Sequence, residues 1–128
     1  MTDTQFPRLT EGSEAWNAAR DAMIEIIKVW AAGSRTAYYS TLSAQLRESG
    51  FSVPARGRLM SRLLRAACEA EADRGVPVML TAIVVNKQTR RPSAEFEVLA
   101  RADRFRRGDV PNWTWEMERE GVFDHYRR

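Results

Sequence analysis

Apolar residues recur along this chain with two different periods, and the changes of period divide it into elements. Between residues 14 and 32, Trp16, Ala19, Met23, Ile26, Ile27 and Trp30 fall mostly at steps of three and four, while Arg20, Asp21, Glu25 and Lys28 lie off that stripe. The spacing predicts an amphipathic helix over 14–32. Ser13 is its expected N-cap, Glu14 sits where the helix dipole favours an acid, and Gly33 stands at the C-terminal cap. Residues 35–39 are a short run holding Thr36, Tyr38 and Tyr39, residue types that suit a strand. Residues 41–48 place Leu42 and Leu46 four apart and predict a short helix, closed by Gly50. After a turn at 49–54, residues 57–73 set Met60, Leu63, Leu64, Ala67 and Cys68 on one face and predict a longer helix. Pro54 cannot lie deep inside that helix, so it starts after Pro54, near Gly57.

Beyond Gly75 the period shortens. Residues 76–85 alternate weakly, with Val78, Leu80, Ala82 and Val84 on one side and Met79, Thr81, Ile83 and Val85 on the other. They predict a strand covered on both faces. Residues 86–93 are polar and hold Lys87, Arg90, Arg91 and Pro92, which reads as a loop. In 94–99, Phe96 and Val98 alternate with Glu95 and Glu97, the pattern of a returning strand. A basic stretch at 100–111 then links to a last helix over 113–126, whose apolar side is Trp113, Met117, Phe123 and Tyr126, with Gly121 marking a bend. Residues 1–12 have no period and read as a flexible lead-in.

Strand, helix, turn, helix and hairpin in this order predict an α+β fold. The expected architecture is a winged helix-turn-helix with an N-terminal helix, a β-hairpin wing and a C-terminal helix, in one domain over 1–128. Residues 36–50, Thr-Ala-Tyr-Tyr-Ser-Thr-Leu-Ser-Ala-Gln-Leu-Arg-Glu-Ser-Gly, resemble the "TYxxLAxxLG" segment of winged-helix domains. They are similar in particular to the DNA-binding part of alkyltransferase-like proteins. The resemblance implies a winged-helix frame and a DNA partner. It does not imply alkyl transfer, because the Pro-Cys-His-Arg motif of those enzymes is absent and Cys68 lies mid-helix among Leu64, Ala67 and Glu71.

Charge sharpens the picture. The chain carries 20 basic and 17 acidic residues, a net charge of +3. Residues 35–65 hold Arg35, Arg47, Arg56, Arg58, Arg62 and Arg65 against Glu48 alone. Arginine supplies 18 of the 20 basic residues, and its planar fork suits phosphate and guanine, although a GC-rich genome gives the same bias. On the longer predicted helix, Arg58, Arg62 and Arg65 share the face opposite the apolar stripe, with Ser61 beside them. In a winged helix this element enters the major groove. The expected base-edge residues are Arg58, Ser61, Arg62 and Arg65, the expected phosphate contacts are Arg35, Arg56, Lys87 and Arg90, and Arg91 of the same loop is a further expected nucleic-acid contact. An ordinary solvated helix face is the alternative for this row, and a plain exposed turn is the alternative for 86–93.

These residues predict a double-stranded DNA-binding protein, such as a small bacterial or phage regulator. The competing expectation is a protein-interaction module on the same frame, contacting a partner or a second copy through Trp113, Trp115 and Tyr126. No catalytic constellation is visible, so no enzyme activity and no cofactor are expected. The chain has no glycine-rich phosphate loop and no paired Cys or His motif. Glu95 and Glu97 have the spacing of a metal-nuclease pair but lack its partners, and His125, the single histidine, has no second ligand for a metal. The single cysteine, the lack of a signal-like N-terminus and the lack of a membrane-length apolar run predict a cytoplasmic protein with no membrane contact.

Overall fold

The computed structural model describes residues 6–127. Its central element is helix α1 (Glu14–Ala32). Ser13 caps it, its hydroxyl oxygen accepting from the Trp16 N–H at 3.1 Å. Trp16, Ala19, Met23, Ile24, Ile27, Trp30 and Ala31 are buried along α1. The inward face is therefore rotated towards Ile24, and Ile26 is only half-buried. Changing Ser13 to alanine removes the cap acceptor and is expected to cost about 1 kcal/mol, read as a lower midpoint in thermal unfolding followed by circular dichroism. Residues 1–5 of the expected lead-in lie outside the described residues; within the rest, Leu9 packs against the core.

Strand β1 (Ala37–Tyr38) runs directly into α2 (Tyr39–Glu48), whose Leu42 and Leu46 are fully buried against α1. The chain leaves α2 through Gly50, at φ +96°, a left-handed conformation that glycine adopts without a Cβ clash. The Phe51 N–H then returns to the Leu46 carbonyl at 2.8 Å. Helix α3 (Arg58–Asp73) begins at Gly57 and buries Met60, Leu63, Leu64, Ala67, Cys68 and Glu71. Up to this point the elements follow the sequence pattern, with ends displaced by one or two residues.

The hairpin does not form, and the winged-helix expectation is overturned. Residues 76–79 are irregular, Leu80–Ile83 make a 3₁₀ turn, and only Val84–Val85 is strand, β2. β2 pairs with β1, in parallel, placing Ala37 opposite Val84 and Tyr38 opposite Val85. A parallel pair needs a crossover, and α2 and α3 supply it. The whole run Met79–Val85 is buried, packed among α1, α3 and α5 (Trp115–Tyr126). Its near-continuous hydrophobicity fits a segment covered on all sides better than one arm of a hairpin.

The expected second arm, 94–99, lies within helix α4 (Ala94–Arg101). Phe96, Leu99 and Ala100 are its buried residues, at helical steps, whereas Val98 is 64% exposed. Glu95 and Glu97 fall in its first turn and Arg101 in its last, both favourable to the helix dipole. Glu97 and Arg101 also pair at 3.7 Å across one turn. The two-residue alternation around Phe96 was thus a fragment of a longer helical period. Residues 86–93 form a tight turn into α4, closed by Asn86 N–H to Arg91 O and Arg90 N–H to Asn86 O, both at 2.8 Å. A 3₁₀ turn (Arg107–Asp109) precedes α5, which Thr114 caps by accepting from the Met117 N–H at 3.2 Å.

Candidate functional site

An open cleft of about 580 Å³ separates α3 from α4. Its α3 wall is Arg58, Ser61, Arg62 and Arg65, with Leu64 deeper. Those four surface positions stand at i, i+3, i+4 and i+7, one helix face. The opposite wall repeats the spacing with Glu95, Val98, Leu99 and Ala102. Tyr39, Gly57, Ser93 and Phe96 complete the rim and ends, and buried Thr81 lies at the floor. One wall is therefore cationic, and the other is apolar with a single carboxylate.

The arginines are available to a ligand. Arg58, Arg62 and Arg65 are all exposed. Arg65 pairs with Glu69 on its own helix at 3.4 Å. Arg58 and Arg62 have no carboxylate within 4.0 Å among the described residues. At 100° per residue the three lie within about 60° of one another, and at 1.5 Å per residue they extend over about 10 Å. Like charges on one helix face repel weakly, and Glu69 offsets only the Arg65 end of the row. Among the described residues no side chain caps the N-terminus of α3, which leaves its first N–H groups without a side-chain acceptor.

The remaining expected contacts are scattered. Arg56 is exposed just before α3, and Arg35 is exposed after α1; neither lines the cleft. Lys87 is exposed at the 86–93 turn. The Arg90 guanidinium lies 5.6 Å from the Tyr38 ring centre. Arg91 is engaged with α5, pairing with Glu116 at 3.2 Å and lying 4.9 Å from the Trp115 ring centre. This turn does reach the cleft through Ser93, whose N–H donates to the Tyr39 hydroxyl at 2.8 Å.

The C-terminal aromatic residues point inward. Trp115 is 5% exposed, and its indole N–H donates to the Ala82 carbonyl at 2.7 Å. Trp113 is half-buried and donates to Glu118 at 2.9 Å. Half-buried Tyr126 donates to the buried Glu71 carboxylate at 2.7 Å; burial and then that carboxylate raise the phenol above its ordinary range. Trp115 thus has no free face for a partner, and the polar atoms of Trp113 and Tyr126 are already paired.

Four arginines of the basic stretch at 100–111 form ion pairs, of which only that of Arg107 is largely buried. Arg101 pairs with Glu97, Arg104 with Asp73, and Arg106 with Asp109. Arg107 reaches Glu118 with two nitrogens, at 2.7 and 3.0 Å. The same carboxylate accepts from the Met79 N–H at 2.8 Å. Burial pushes the Glu118 carboxyl up, but these donors outweigh it and hold it below the ordinary glutamate value.

Cys68 is fully buried and within 3.0 Å of the Thr81 hydroxyl. Burial pushes its thiol up to about 11, which leaves almost no thiolate at neutral pH. A thiol reagent is expected to modify Cys68 only after unfolding; rapid modification of the native protein would contradict this packing. Among the described residues, no group of three or more His, Cys, Asp or Glu could hold a metal, and no helix is long and apolar enough to cross a membrane.

A strand over 94–99 hides the α4 wall of this site, because only helical geometry brings its residues to one face. The wall's signal is present as Glu95, Val98, Leu99 and Ala102 at i, i+3, i+4 and i+7. Compared with known proteins, the chain matches no family model, no curated protein and no solved structure.

Proposed function

We propose that this protein binds double-stranded DNA through the arginine face of α3. The observation that carries the reading is the solvent-facing row Arg58, Arg62 and Arg65, with Arg58 and Arg62 unpaired among the described residues. Guanidinium forks match phosphate oxygens and the O6/N7 edge of guanine, so a row on one helix face suits a duplex. Ser61 on the same face adds a hydroxyl that bonds either a base or a phosphate. Arg56 lies just outside the N-terminal end of the row and extends the positive charge along a backbone. The role is binding rather than catalysis.

The test is a titration of a labelled 20-base-pair duplex by fluorescence anisotropy at two salt concentrations. Affinity should fall steeply as salt rises, because neutralised phosphates release counterions. Absence of binding at low salt would overturn the reading.

A further inference from the structure

The cleft has a second wall that a regular duplex would leave unused. Phosphates on the arginine row account for Arg58, Arg62 and Arg65. They do not account for Val98, 64% exposed, or for Leu99 and Ala102 lining the same space. Nor do they account for Glu95, which lines the cleft without an ion pair among the described residues. A carboxylate facing a cationic row disfavours a ligand that is anionic along its whole length. It favours one with an anion on one side, an apolar body, and N–H donors at the far edge.

A nucleotide has that distribution of chemistry. Resting on the DNA-binding reading above, we propose that the cleft between α3 and α4 seats one unpaired nucleotide of the bound DNA. Its phosphate lies on Arg58. Its base lies against Val98, Leu99 and Ala102, whose apolar surface it removes from water. Glu95 accepts from the exocyclic amine of adenine or cytosine, a donor that thymine lacks. The volume of about 580 Å³ is within the range of small-ligand sites. The Tyr39 hydroxyl already accepts from Ser93 N–H, so its own hydrogen remains free to meet the sugar or base.

The experiment compares a fully paired 20-base-pair duplex with the same duplex carrying one bulged nucleotide, by anisotropy under matched salt. The bulged adenine duplex is expected to bind about tenfold more tightly, the scale of burying one base against apolar side chains. Bulged cytosine should match adenine and bulged thymine should fall behind, with the difference erased in Glu95→Ala. Val98→Asp replaces the exposed apolar contact with a charge and should abolish the gain from the bulge. Equal wild-type affinities for the paired and bulged duplexes would overturn the nucleotide seat while leaving duplex binding intact. A gain that survives Val98→Asp would do the same, since the extra affinity would then come from bending at the bulge. Failure of both duplexes to bind would overturn the DNA reading and this inference with it.

Discussion

Glu118→Ala is expected to lower the unfolding free energy by about 3–5 kcal/mol, the usual cost of removing one partner from a buried ion pair. Glu118 is 6% exposed. Its two carboxylate oxygens hold together three parts of the chain: Arg107 before α5, Trp113 at the approach to α5, and the Met79 backbone N–H in the buried run. Alanine would leave all of those donors without this acceptor, and the Arg107 side chain is only 18% exposed. Arg107 also donates to the Phe105 and Pro77 carbonyls at 3.0 Å each, so part of its hydrogen bonding would survive. Urea denaturation gives the measurement, and a loss under 1 kcal/mol would show that the network contributes little. The same group sets a pH dependence. Its folded carboxyl is held below the ordinary 4.5. The stabilisation is therefore full above that value and is lost as pH falls through the lower folded value. Wild type should lose more stability than Glu118→Gln over that acid range, because the glutamine does not titrate.

Arg62→Ala is expected to weaken binding to a preferred duplex by about 1–3 kcal/mol, the size of a bidentate base contact. Arg62 has the strongest claim within the row. It lies between Arg58 and Arg65, one turn from each, and has no carboxylate partner among the described residues, whereas Arg65 is shared with Glu69. Arg62→Lys keeps the charge but loses the fork. It should therefore retain nonspecific binding while losing discrimination between sequences. Because Arg62 is exposed, neither variant should alter the thermal midpoint appreciably. Unchanged affinity and unchanged sequence preference in Arg62→Ala would remove the central contact from the proposed interface.

The part of the fold legible in the sequence is the part where one period runs undisturbed. Met60, Leu63, Leu64, Ala67 and Cys68 repeat at helical steps over more than two turns, and α3 lies where they place it. α1 was equally clear in extent, although its buried face is turned towards Ile24 rather than Ile26. The failure lay between 76 and 99. A run buried on every side has no polar phase, so Met79–Val85 could not show that it was a 3₁₀ turn followed by a two-residue strand. The length of β2 and its pairing with β1 depend on contacts with α1, α3 and α5, which no local pattern records. At 94–99, Glu-Phe-Glu-Val satisfied a period of two over four residues, too short a window to separate strand from helix. Extending it to Leu99 and Ala100 brings in the helical steps from Phe96. That shift matters for the site, because it replaces a wing beside the arginine row with a helix that walls it. The α3 half of the candidate site was visible as a charge pattern, and the α4 half required the correct secondary structure first. The aromatic C-terminus shows a different limit: sequence places Trp115 and Tyr126 on a helix but not the buried Ala82 carbonyl and Glu71 carboxylate that they reach.

The most direct test of the arginine row is the salt slope of duplex binding, measured side by side for wild type and for Arg58→Ala/Arg62→Ala/Arg65→Ala. Each phosphate neutralised contributes about 0.9 to the slope of log affinity against log salt. If all three guanidiniums contact phosphate, the triple variant should be shallower by about 2.7; contacts made to base edges instead reduce that difference while still weakening binding. Parallel slopes with equal affinities would contradict the account, because the row on α3 would then make no contact with DNA.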